Sequence, residues 1–247
     1  MIERCAEMAR LAEIAYLDGD EAKKAFRDEG YPNHKFWDID GAQVHAIWVN
    51  ETPAAKGVYV LAFRGTEPDE LSDLLADLNA FPSKGVSGGW VHLGFQGEVD
   101  KVWEEIAAHK KAHFDDSYFF ITGHSLGGAM ATLAASRFNL IDKVDCLYTY
   151  GSPRVGTRSF VKSCKFTHYR HKNNNDLVTT VPLWVMGYKH HGELRYINFY
   201  GNVRKLTAWQ AIKDKWRGWR SGILDGMVDH GIGNYYTALK GNKDVRV

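Results

Sequence analysis

The stretch YFFITGHSLGGAMATLAA, residues 118–135, constrains the chain most. An apolar, β-prone run, Tyr118 to Thr122, passes straight into a helix-prone run, Ala129 to Ala135. Gly123, Ser125, Gly127 and Gly128 stand at the junction. A strand that turns at once into a helix of small residues belongs to a layered α/β fold. The glycines two residues either side of Ser125 let the backbone turn sharply without striking its neighbours. Ser125 is then held in an unusual conformation, its hydroxyl clear of the backbone and beside a helix N-terminus. The free N–H groups and positive dipole end there suit an oxyanion.

The remaining elements fit such a fold. Met8, Leu11, Ala12, Ala15 and Tyr16 recur at helical spacing. FWDIDGAQVHAIWV reads as a hairpin turning at Asp40-Gly41. VYVLAF, 58–63, is a short continuous apolar run, the pattern of a strand buried on both faces. Residues 97–113 and 127–138 read as helices; CLYTYG, FTHYRHK and LRYINFY read as strands. Alternating strands and helices predict a three-layer α/β fold with a central, mostly parallel sheet. No repeat or Pro/Ser-rich linker divides residues 1–247, so one domain is expected.

A serine hydroxyl needs a base, and the base an acid that fixes its tautomer. In this fold the chain order is serine, acid, histidine. Asp176, in the loop after FTHYRH, fits the acid, whereas Asp142 and Asp145 lie at the wrong end of the sheet. Asp214 and Asp225 fall in a helix-like region. His168 and His171 precede Asp176, and His190 and His191 follow it too closely in what reads as a surface hairpin. His230 is the base the order selects. Thr66, at the carboxyl end of VYVLAF, and the N–H of Leu126 are the expected oxyanion donors.

These residues lie in stretches that resemble the class 3 lipases, a family including fungal triacylglycerol lipases and feruloyl esterases. The matching stretches are FRGTE (63–67), DLLADLNAF (73–81), VHLGF (91–95), GHSLGGA (123–129), YGSPRVG (150–156), NNNDLVTTVP (173–182) and DHGIGNYY (229–236). The resemblance implies an α/β-hydrolase-like fold with Ser125, Asp176 and His230 as nucleophile, acid and base, and with Thr66 and Leu126 at the oxyanion. It implies a lipase acting on acylglycerol esters, with phospholipase A1, a feruloyl or small-ester esterase, and a non-catalytic lipase-like module as alternatives. Leu74 departs from the tryptophan often found at the family's lid position.

Residues 67–81 place Leu71, Leu74, Leu75, Leu78 and Phe81 on one helical face, the pattern of a lid that opens at an oil–water or membrane surface. Residues 204–223 form a second amphipathic candidate, rich in tryptophan and basic residues.

Net charge of +1 gives no reason to expect nucleic acid. No apolar run reaches bilayer length. No cofactor or metal is expected, since no Cys or His pair has zinc spacing. Three cysteines make no disulfide framework, and charged residues interrupt the first 20 positions, so a cytoplasmic protein is expected, with secretion of a mature form left open.

Overall fold

The computed structural model describes residues 2–66, 81–113, 117–204 and 228–242. Helices α1 (Ile2–Ile14) and α2 (Gly19–Asp28) precede strands β1 (Asn33–Ile39), β2 (Ala42–Val49) and β3 (Val58–Phe63). Strands β4 (Pro82–Lys84) and β5 (Trp90–His92) lead into helix α3 (Leu93–His113), then β6 (Tyr118–His124) and α4 (Leu126–Phe138). Strand β7 (Cys146–Tyr150), β8 (Gly156–Thr157), helix α5 (Arg158–Ser163) and β9 (His168–Asn173) follow. The chain continues through β10 (Tyr188–Lys189), β11 (Glu193–Ile197) and β12 (Val203–Arg204) to helix α6 (Ile232–Gly241).

Eight strands make the central sheet in the order β1-β2-β3-β6-β7-β9-β11-β12. The run β3-β6-β7-β9-β11 is parallel, and antiparallel strands flank it on both sides. The β1–β2 hairpin turns at Asp40 (φ 50°) and Gly41 (φ 81°), the two positive angles a tight primed turn requires.

The continuous apolar strands have a direct cause. Along β3, Tyr59, Leu61 and Phe63 enter the core under α3 and α4, while Val60 enters the opposite core under α1 and α6. Strand β6 divides likewise, with Phe119 and Ile121 on one side and Phe120 on the other. With period-two alternation and both faces covered, every position must be apolar. Each fully buried Leu, Val or Phe contributes about 1.5–3 kcal/mol.

Two features lie outside the expectations. A small four-stranded sheet, β10-β8-β5-β4, has strands too short for any periodicity to appear in the sequence. Arg204, expected to open an amphipathic helix, instead pairs with Tyr196 in β12. The rest of that candidate, 205–223, lies outside the described residues, as do Leu71, Leu74, Leu75 and Leu78. Phe81 is described: it is exposed, and its carbonyl accepts from the Leu93 N–H at 2.9 Å. No described helix is long and apolar enough to cross a membrane.

Candidate active site

Ser125 sits between β6 and α4 at φ 55°, ψ −128°, a region L-residues rarely occupy. Two things hold it there. Its N–H donates to the Tyr150 carbonyl at 3.0 Å. The turn also closes so tightly that a Cβ on Gly123 would lie under 3.0 Å from the Gly127 backbone, and one on Gly127 equally close to the Phe63 carbonyl. Leu126 begins α4, so its N–H has no acceptor within the helix. Thr66 lies three residues beyond β3 and is half-buried. The Gly65 before it packs against the His124 carbonyl and Ser125 Cβ.

Asp176 is fully buried and its carboxylate is densely bonded. Oδ1 accepts from the Val178 N–H at 2.9 Å, and Oδ2 from the Tyr235 hydroxyl at 2.5 Å. His230 Nδ1 lies 3.0 and 2.9 Å from the two oxygens. A carboxylate there fixes the proton on Nδ1 and leaves the lone pair on Nε2. The pair rests against Gly151 (φ 60°), where a Cβ would strike both His230 and Asp176 under 3.0 Å.

Among the described residues, Ser125 Oγ and His230 Nε2 are both buried without a hydrogen-bond partner. An orphaned donor and an orphaned acceptor are what a serine–histidine couple presents before it closes on a substrate. His124, the residue before Ser125, sets its ring against that of His230, with centroids 4.4 Å apart and the planes tilted by 35°. His124 Nε2 lies 2.7 Å from the His230 carbonyl, which can only accept, so this nitrogen carries the proton. Its Nδ1 therefore accepts from the Tyr16 hydroxyl at 2.7 Å. Burial, then the neighbouring His230, holds the His124 pKa well below its usual value. It is neutral, and it adds no charge beside His230.

Residues with no conspicuous sequence signal hold the loops of Asp176 and His230 together. Asp229 Oδ2 accepts from Asn174 Nδ2 at 2.9 Å and from the Asn175 N–H at 3.1 Å. Asn173 Nδ2 donates to the Asp229 carbonyl at 2.9 Å, and the Asn173 N–H to the Tyr235 hydroxyl at 3.0 Å. Asp229, Tyr235, Asn174 and His124 were not singled out from sequence. All fall inside the motifs, but nothing local separates a loop-tying Asp229 from a solvated one. Asp142 and Asp145 do sit away from the site, binding Lys110 and the Phe119 N–H. His190 and His191 are not a free surface pair: His190 Nε2 lies 2.8 Å from the Thr179 carbonyl, and His191 Nδ1 lies 3.1 Å from His168 Nδ1.

The model of the lipase (class 3) family matches residues 60–186, slightly more than half of the chain. The secreted mono- and diacylglycerol lipase 1 of Fusarium solani is 41% identical over 115 residues, 42% of this chain and 33% of that protein. The secreted mono- and diacylglycerol lipase A of Penicillium cyclopium is 34% identical over 157 residues, 60% of this chain and 51% of that protein. The chain thus spans a third to about half of the length of these curated relatives. The triacylglyceride lipase structure of Rhizomucor miehei superposes with a TM-score of 0.67 at 25% identity, covering 81% of each chain.

The cytoplasmic expectation is overturned here, because relatives of this similarity are secreted by name. The physical reasons are plain. The charged N-terminal stretch forms α1, which buries Met8 and Leu11 in the core, so its pattern reports packing rather than export. The three cysteines are buried and unpaired in a core large enough to need no disulfide.

Proposed function

The chain belongs to the class 3 lipase family, and on that premise we propose that it is a serine carboxylester hydrolase that cleaves acylglycerol esters. The observation that carries the reading is the Asp176–His230 pair: the carboxylate engages Nδ1, and His230 Nε2, like Ser125 Oγ, is buried without a partner among the described residues.

In this reading Ser125 Oγ attacks the ester carbonyl carbon while its proton passes to His230 Nε2. The imidazolium is stabilised by Asp176, which keeps its charge. Negative charge gathering on the former carbonyl oxygen is met by the Leu126 N–H, the positive end of α4 and Thr66. The intermediate collapses as His230 returns the proton to the departing alcohol, leaving an acyl group on Ser125. Water, activated by the same histidine, then releases the fatty acid. Because the base must begin neutral, the rate falls on the acid side of the profile. Residues 1–247 act as one domain, and segment 67–81, bearing Leu71, Leu74, Leu75, Leu78 and Phe81, serves as a lid over the site at a lipid surface.

The test is a hydrolysis panel of tributyrin, triolein, phosphatidylcholine and methyl ferulate, with Ser125→Ala as blank and a fluorophosphonate probe as label. Acylglycerol turnover and labelling that both vanish in Ser125→Ala are expected. Labelling that persists in the variant sinks the mechanism, and a preference for phosphatidylcholine or methyl ferulate reassigns the substrate. For the lid, specific activity on a short-chain triglyceride should jump at its solubility limit; a smooth curve through that limit removes the lid.

A further inference from the structure

Arg170 presents a problem the fold leaves open. It lies in β9, between β7 and β11, only 9% exposed. Other buried cations have carboxylates: Arg137 meets Asp100 at 2.5 Å, Lys110 meets Asp142 at 2.6 Å, and Arg195 meets Glu193 at 3.1 Å. The Arg170 side chain makes no hydrogen bond or ion pair with any described residue, and its Nε is enclosed without a partner. An isolated buried charge is strongly unfavourable. Deprotonation does not relieve it. Burial, with Arg154 adding, brings its pKa down to about 10, which leaves it charged at neutral pH.

A cavity adjoins this side chain. Arg170 lines it with His168, His190, Lys189, Ser152 and Thr132, and among the described residues no carboxylate faces it. Its volume, as room for the centre of a water-sized sphere, is about 10 Å³. That is space for about one water-sized occupant, so a monatomic ion suits it better than a four-oxygen phosphate or sulfate.

We propose that this cavity binds a single monatomic anion, a halide, as the counter-charge of Arg170. The histidines shape the wall rather than supply charge. His168 Nε2 lies 2.8 Å from Thr149 Oγ1, and His190 Nε2 is held by the Thr179 carbonyl. Ser152 Oγ, whose one acceptor is the Pro153 carbonyl at 3.2 Å, is free to turn its hydrogen inward. The site is distinct from the catalytic one. Alternation along β9 sends His168 and Arg170 toward the cavity and α4, while Asn173 faces α6, where its N–H meets the Tyr235 hydroxyl. Through His190 and Thr179, the occupant also braces the loop that carries Asp176.

The test replaces sodium gluconate by sodium chloride at constant ionic strength and follows the Tm of the full chain. Occupancy at ten times the Kd should raise Tm by roughly 3–5 °C. Arg170→Met should lose that rise. Wild-type crystals grown in sodium bromide should show an anomalous peak within hydrogen-bonding distance of the Arg170 guanidinium. Equal Tm in the two salts, a rise that survives in Arg170→Met, or a map showing an ordered water only would each overturn the site. The bromide map decides on the wild-type protein should Arg170→Met fail to fold.

Discussion

The turn at Ser125 and the paired loops of Asp176 and His230, the two parts of the candidate site, are fixed by opposite means. The turn is fixed by missing side chains: glycines at 123 and 127 let backbone meet backbone, and Ser125 is left with no alternative. The loops are fixed by side chains that are present, with Asp229 joined to Asn174 and Asn175, and Tyr235 joined to Asp176 and Asn173. Steric fixing is stiff and unforgiving. Hydrogen-bonded fixing is graded, and its members can be removed singly. The two regions should therefore respond differently to mutation.

Gly127→Ala should have the largest effect. Its Cβ meets backbone, which cannot swing aside, so a loss of about 3 kcal/mol or more is expected. Urea unfolding or soluble yield would measure it, and near-normal stability would remove the steric account of the turn. Asp229→Ala comes next. It strips two donors of a charged acceptor, for about 2 kcal/mol. Because it also loosens the loop bearing His230, kcat should fall roughly 10- to 100-fold. Asp229→Asn, which keeps one acceptor oxygen, should recover part of both. An unchanged kcat in Asp229→Ala would mean the loops need no tie. Tyr235→Phe should be mildest, near 1 kcal/mol, since the Val178 N–H and His230 still hold the carboxylate. A loss as large as that of Asp229→Ala would show that Tyr235, rather than the asparagine loop, positions the acid.

The same contrast explains what could be read beforehand. The turn was legible because every residue that shapes it lies within a few positions of Ser125, and glycine spacing records backbone geometry directly. The apolar run of β3 was legible for a similar reason, since burial on both faces leaves a periodicity signature. Asp176 and His230 were reachable through chain order. Their support was not: Asp229 meets Asn174 across 55 positions, and Tyr235 meets Asp176 across 59. An aspartate that ties two loops is locally indistinguishable from one that faces water. His190 and His191 were misplaced on the surface for this reason, because their partners Thr179 and His168 are brought close only by β9 and β10.

By itself, the order of residues determined the layered α/β architecture and the strained serine, and it singled out Asp176 and His230, which the fold pairs. Those depend on local backbone sterics and on the periodicity of burial. Only the tertiary structure decided which nitrogen of His230 is left free, that His124 is neutral beside it, and that among the described residues Arg170 has no carboxylate to answer its charge. Each of those is a statement about partners, and partners are assigned by packing between segments far apart in the chain.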